Sequence, residues 1–81
     1  MSGLRVLSAK KIINIFSEFG FKVIGQKGSH IKLNRDFGGV NQSLVIPNHK
    51  EIDKGTTKAI YNQGLLYISE IELSKYFYTN K

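Results

Sequence analysis

Eighty-one residues, 41% of them hydrophobic, with five phenylalanines, four tyrosines and one proline, describe a chain that folds rather than a disordered tail. One core is all such a length builds, so a single domain over residues 1–81 is expected. The lack of cysteine excludes disulfides, thiolate nucleophiles and cysteine-bound metal. The net charge of +6 argues against a cationic partner and leaves a polyanion or an acidic protein.

Ser8 is placed to cap a first helix, in which Ile12, Ile15, Phe16 and Phe19 follow the spacing of one buried stripe. Lys10, Lys11, Asn14 and Glu18 take the wetter side, and Gly20 supplies the stop. The period then changes to two. Strands are expected at about 21–26 and 30–35, joined by a tight turn at Lys27-Gly28. On the second strand His30, Lys32 and Asn34 point one way, while Ile31 and Leu33 point toward the helix. A longer turn over Asp36–Asn41 leads to a third strand, Gln42–Ile46, ending at Pro47.

After a polar connection, a second helix starts near Asp53 or Lys54, uses Ala59 and Ile60 as core contacts and ends at Gly64. Ser69 with Glu72 three residues later announces a short last helix, whose Leu73, Tyr76 and Phe77 face the domain. The order predicts an α+β fold. It is the double-stranded-RNA-binding-like αβββα arrangement, a three-stranded antiparallel sheet with helices packed on one face, plus a short C-terminal helix. No apolar run approaches the roughly 18 residues of a membrane span and no signal-peptide pattern is present. A soluble cytoplasmic protein without a membrane partner is therefore expected.

The whole charge excess falls in residues 1–35, where Arg5, Lys10, Lys11, Lys22, Lys27, Lys32 and Arg35 meet only Glu18. Such a half can form one positive face toward nucleic acid, or can simply keep the chain soluble. His30 follows Gly28-Ser29 at the start of a strand, flanked by Lys27 and Lys32. Metal-free RNA cleavage needs such a set: a base for the 2′-hydroxyl proton and cations for the phosphoryl oxygens. The competing reading of His30 is a strand-end polar residue bonded to a neighbour. His49, in the loop after Pro47-Asn48, is either a second acid–base group or a loop residue that bonds a backbone carbonyl or helps to cap the second helix. Two histidines without cysteine and with few nearby carboxylates make a poor zinc site, so neither metal nor cofactor is expected. Lys54-Gly55-Thr56-Thr57 opens the second helix and offers either a phosphate contact or a plain helix start. Tyr61, Tyr67, Tyr76 and Tyr78 either stack on bases or fill the core.

From about residue 8 to 68 the chain resembles the HicA family of toxins. The resemblance is carried by Gly20-Phe21, Gln26-Lys27-Gly28-Ser29-His30, Val45-Ile46-Pro47-Asn48-His49, and Glu51 with Lys54-Gly55-Thr56. It ends on Ile60, Gln63, Gly64 and Leu65. It implies a messenger-RNA endoribonuclease of a toxin–antitoxin pair that arrests translation and growth and is neutralised by a HicB-type antitoxin. It also implies that His30 is the catalytic residue. On this reading Lys27, Ser29, Lys32, Lys10, Lys11 and Lys54 hold RNA, and His49 is a possible secondary group. A non-catalytic RNA-binding module of the same fold, and a domain whose basic face meets an acidic protein, are the alternatives.

Overall fold

The computed structural model describes residues 3–79. Ser8 accepts a hydrogen bond from the Lys11 amide at 3.1 Å and starts helix α1, Ala9–Ser17. Ala9, Ile12, Ile15 and Phe16 form its buried stripe, with Lys10, Lys11 and Asn14 in solvent. The helix exits through a Schellman pair: the Gly20 amide donates to the Ser17 carbonyl, and the Phe21 amide to the Phe16 carbonyl, each at 3.1 Å. Gly20 allows this with φ +94°, and the Phe21 ring comes back edge-on to Phe16 at 5.7 Å.

Three strands follow in the sheet order β1-β2-β3, all antiparallel: β1 Lys22–Lys27, β2 His30–Phe37 and β3 Val40–Pro47. β1 starts one residue later than the expected 21–26, because Phe21 is consumed by the helix exit. A bulge lies between Val23 and Gly25. The second turn is shorter than the expected Asp36–Asn41. Gly38 and Gly39 both adopt positive φ (+61° and +82°), which lets two residues close the hairpin. The ladder therefore runs out to Phe37 opposite Val40, and β3 exceeds the expected Gln42–Ile46.

Alternation decides the two faces of the sheet. Ile31, Leu33, Leu44 and Ile46 are buried under the helices, while His30, Lys32 and Val45 face solvent. Helix α2, Lys54–Gly64, begins at Asp53, whose carboxylate accepts from the Thr56 amide at 3.0 Å. Its inward positions are Thr57, Ile60, Tyr61 and Gly64. Ala59, expected in the core, is exposed, because the i, i+3, i+4, i+7 stripe passes through Thr57 instead. The buried Thr57 hydroxyl donates to the Ile52 carbonyl at 3.3 Å, so its burial leaves no unmet donor. Gln63 accepts from the Val45 amide at 3.4 Å, which places α2 along the outer edge of β3.

Helix α3, Glu70–Phe77, starts at Ser69, which accepts from the Glu72 amide and donates to the Glu72 carboxylate, as the Ser–Glu spacing predicts. Leu73 and Phe77 are fully buried, and Phe77 lies against Phe16 and Tyr61. Burial of rings of this size stabilises by about 1.5–3 kcal/mol each. The first and last described segments meet where the Thr79 amide donates to the Gly3 carbonyl and the Arg5 amide to the Phe77 carbonyl. The architecture is the expected α+β αβββα order with an added C-terminal helix. No helix among the described residues is long and apolar enough to cross a membrane.

Candidate nucleic-acid interface

His30 is the first residue of β2, delivered by a two-residue turn in which Gly28 takes φ +59° and Ser29 keeps a negative φ. That is the pattern of a type II′ hairpin, and it fixes which residues meet His30. Lys27 stands directly opposite on β1 and Pro47 on the other side, on β3. One row along on the same face, Lys32 stands between Gly25 and Val45. One row further, Asn34 stands between Lys22 and Ser43. His30, Lys27 and Lys32 are all exposed, so the imidazole is held by a rigid strand yet reachable, with two ammonium groups on its face.

Backbone bonds brace this turn. The Gln26 side-chain amide donates to the Gly28 carbonyl at 2.9 Å, and the Asn48 amide to the Ser29 carbonyl at 2.6 Å. The Asn48–Asp53 connection continues inward from there. The His49 carbonyl accepts from the Ala9 amide at 3.0 Å, and the Ile52 amide donates to Leu7 at 2.9 Å. The hairpin turn, the start of α1 and the start of α2 therefore converge at one end of the sheet.

The expected RNA-binding residues divide into two groups. Lys27, Ser29 and Lys32 surround His30, and all three are exposed. Lys10, Lys11 and Lys54 are exposed at the same end, but in the helical layer beneath the sheet rather than on its open face. His49 lies in the connecting loop, exposed, and its backbone caps α1 rather than the second helix. The start of α2 is not a free anion site. Asp53 already takes the Thr56 amide and hydroxyl, and those bonds, the hydroxyl first, hold its carboxyl below the usual carboxylate range. Lys54 adds only its charge there.

Two residues are placed differently from what the charge count suggests. Arg35 belongs to the basic half, yet its guanidinium is turned to the helix side and donates to Gln42, Phe19 and Tyr67. Lys50, not singled out in the sequence, is exposed in the loop after His49 and shares a shallow depression with Lys11 and Ser8. Its only sequence signal is its place beside His49. The tyrosines are not base platforms on the site. Tyr61 is buried, Tyr67 stands against Phe21, Tyr76 against Phe19, and Tyr78 against Tyr61. A cavity of about 690 Å³ between α2 and α3 is lined by Lys58, Tyr61 and Ile71 among others, and neither histidine lines it.

No curated protein and no solved structure matches this chain. A family model described as HicA toxin of bacterial toxin-antitoxin matches residues 9–65. That span opens at the first residue of α1, takes in the whole sheet with His30, and closes just after α2. It covers well over half of the sequence, and the chain belongs to the HicA family of toxins from toxin–antitoxin pairs.

Proposed function

We propose that this toxin is a metal-independent messenger-RNA endoribonuclease that uses His30 as its acid–base group. The observation that carries the reading is the exposed imidazole at a braced strand start, with Lys27 across the ladder and Lys32 on the same face. In this scheme His30 takes the proton of a ribose 2′-hydroxyl, and that oxygen attacks the adjacent phosphorus. The 5′-oxygen of the next nucleotide leaves with a proton, giving a 2′,3′-cyclic phosphate and a 5′-hydroxyl end. Lys27 and Lys32 stabilise the charge that gathers on the phosphoryl oxygens. General acid–base help of this kind is worth roughly 10²–10⁴-fold, which is enough for a modest nuclease.

The remaining roles follow from placement. Ser29 sets the backbone of the turn, Lys10, Lys11 and Lys54 extend the positive field at that end of the molecule, and His49 is one candidate for a separate general acid, beside a lysine or water. Cleavage of cytoplasmic messenger RNA arrests translation and growth. A HicB-type antitoxin neutralises the toxin by covering the face that carries His30.

The test is cleavage of a labelled messenger RNA in EDTA by the purified protein and by His30→Ala, with folding checked by circular dichroism. The expected result is cutting by the wild type alone, leaving cyclic-phosphate ends. Equal cutting by the folded variant removes His30 from the reaction, and complete loss of wild-type activity in EDTA removes the metal-free scheme. Binding of RNA by both proteins without cutting by either points to a non-catalytic RNA-binding module.

A further inference from the structure

RNA-binding surfaces that read single strands stack bases on aromatic rings or present fixed hydrogen-bonding edges to them. Among the described residues the face that carries His30 has no phenyl or phenol ring, and the imidazole itself is its one flat ring. Phe37, the sheet's only phenyl ring, lies on the helix side under the Arg35 guanidinium, and the other rings pack among the helices and on Phe21. Asn34 and Ser43, the amide and hydroxyl in the middle of the face, bond to each other at 3.3 Å. Beside the imidazole the face offers Lys22, Lys27 and Lys32 on flexible stems, next to Gly25, which presents no side chain, and the aliphatic Val45. Asp36 and Asn41 lie on it only at the far turn, where the Asp36 carboxylate accepts from the Gly39 amide. Ammonium groups bind phosphate as point charges without directional readout.

We infer that this face grips RNA by its phosphates and leaves the bases unread, so that the toxin cuts RNA of any base composition. The inference rests on the ribonuclease reading above and names the chemistry by which that site selects its substrate. Its consequence is that a DNA strand of the same length is held almost as well as RNA. DNA supplies the same phosphates and lacks only the 2′-hydroxyl that reacts.

Short labelled homopolymers of adenylate, cytidylate and uridylate test it, with a DNA strand as competitor. Cleavage of the three by the wild type is expected at kcat/KM values within about tenfold of one another, as phosphate-dominated binding requires. The uncut DNA should inhibit competitively with a Ki within about tenfold of the RNA KM. Lys32→Gln should lower kcat/KM by the same factor on every polymer and reduce the log–log salt slope by about 0.7. A preference of about a hundredfold for one base, of the size that directional hydrogen bonds to a base edge give, overturns the inference, as does DNA that fails to compete. Binding of the same polymers by His30→Ala separates this failure from failure of the ribonuclease reading. Equal, salt-sensitive affinities support the phosphate grip even where nothing is cut, and unequal ones overturn it.

Discussion

The guanidinium of Arg35 donates to the carbonyl oxygen of Phe19 at 2.6 Å, joining the middle of the sheet to the end of the first helix. The same group reaches Gln42 at 2.6 Å and the Tyr67 carbonyl at 3.1 Å, and it lies over the rings of Phe21 and Phe37. Its position is structural, remote from the turn that carries His30. Arg35→Ala should therefore lower stability by about 2–3 kcal/mol, since it strands partly buried acceptors that a charged donor satisfies. Arg35→Lys should recover only part of that loss, because one ammonium cannot span the three acceptors of a planar fork. Urea denaturation of the three proteins checks both, and an unchanged midpoint in Arg35→Ala removes the clamp.

At Gly64 the backbone of α2 lies close against Leu73 and Phe16. A Cβ built there lies 2.7 Å from Leu73 Cδ2 and 2.9 Å from Phe16 Cε1, and both of those side chains are fully buried. Alanine improves helix propensity by about 1 kcal/mol, but overpacking a closed core costs about 1–3 kcal/mol. With neither neighbour free to swing into solvent, the steric term should win. Gly64→Ala is expected to be net destabilising in thermal melts, and a higher melting temperature would show that the helices can spread.

Much of this geometry is legible in the sequence where a local rule acts alone. Ser8, Gly20 and Ser69 mark helix ends because capping chemistry is short-range, and the alternation from His30 to Leu33 sorts the faces without help from the rest of the fold. The sequence misleads where tertiary partners decide. Arg35 counts as a free cation until its three acceptors arrive from residues 16 positions back, 7 ahead and 32 ahead. Ala59 reads as more apolar than Thr57, yet Thr57 is the one on the inward stripe, its hydroxyl met by Ile52. Around His30, the pairing with Lys27 follows from the turn, whereas the brace from Asn48 to Ser29 joins segments far apart in the chain and leaves no local signal.

The first hairpin sets the direction of His30, so under the proposed ribonuclease scheme its glycine should matter more to cleavage than to folding. Gly28 has φ +59° with nothing within 4 Å of an added Cβ, so alanine there meets conformational strain rather than a clash. Strain of that kind costs about 1–2 kcal/mol, which the turn relieves by moving. A displacement of about 1 Å at a catalytic group can cost up to about 10²-fold in rate. Gly28→Ala should thus lose roughly 10- to 100-fold in kcat with little change in KM, because Lys27 and Lys32 remain on the face. Steady-state cleavage kinetics measure the split, and a pure KM effect would place the turn's role in binding instead.

Tyr61 is buried between Phe77 and Tyr78, and that burial, with Glu70 and Tyr78 adding negative potential, pushes its phenol above the ordinary tyrosine value. The fold thus favours the protonated phenol. A group whose folded pKa is raised contributes stability that is complete below its unfolded pKa, about 10 for tyrosine, and is lost as the pH rises through the folded value. Stability should accordingly fall above pH of about 10, as the unfolded chain ionises a phenol that the native chain keeps neutral. Lysines also lose charge in that range, so the comparison that isolates the effect is with Tyr61→Phe, in which the alkaline loss should be smaller. Urea midpoints at neutral and alkaline pH for the two proteins measure it, alongside the phenolate absorbance, in which Tyr61 should ionise above the ordinary value. Equal alkaline losses in the two proteins would mean that Tyr61 reaches solvent before the fold opens.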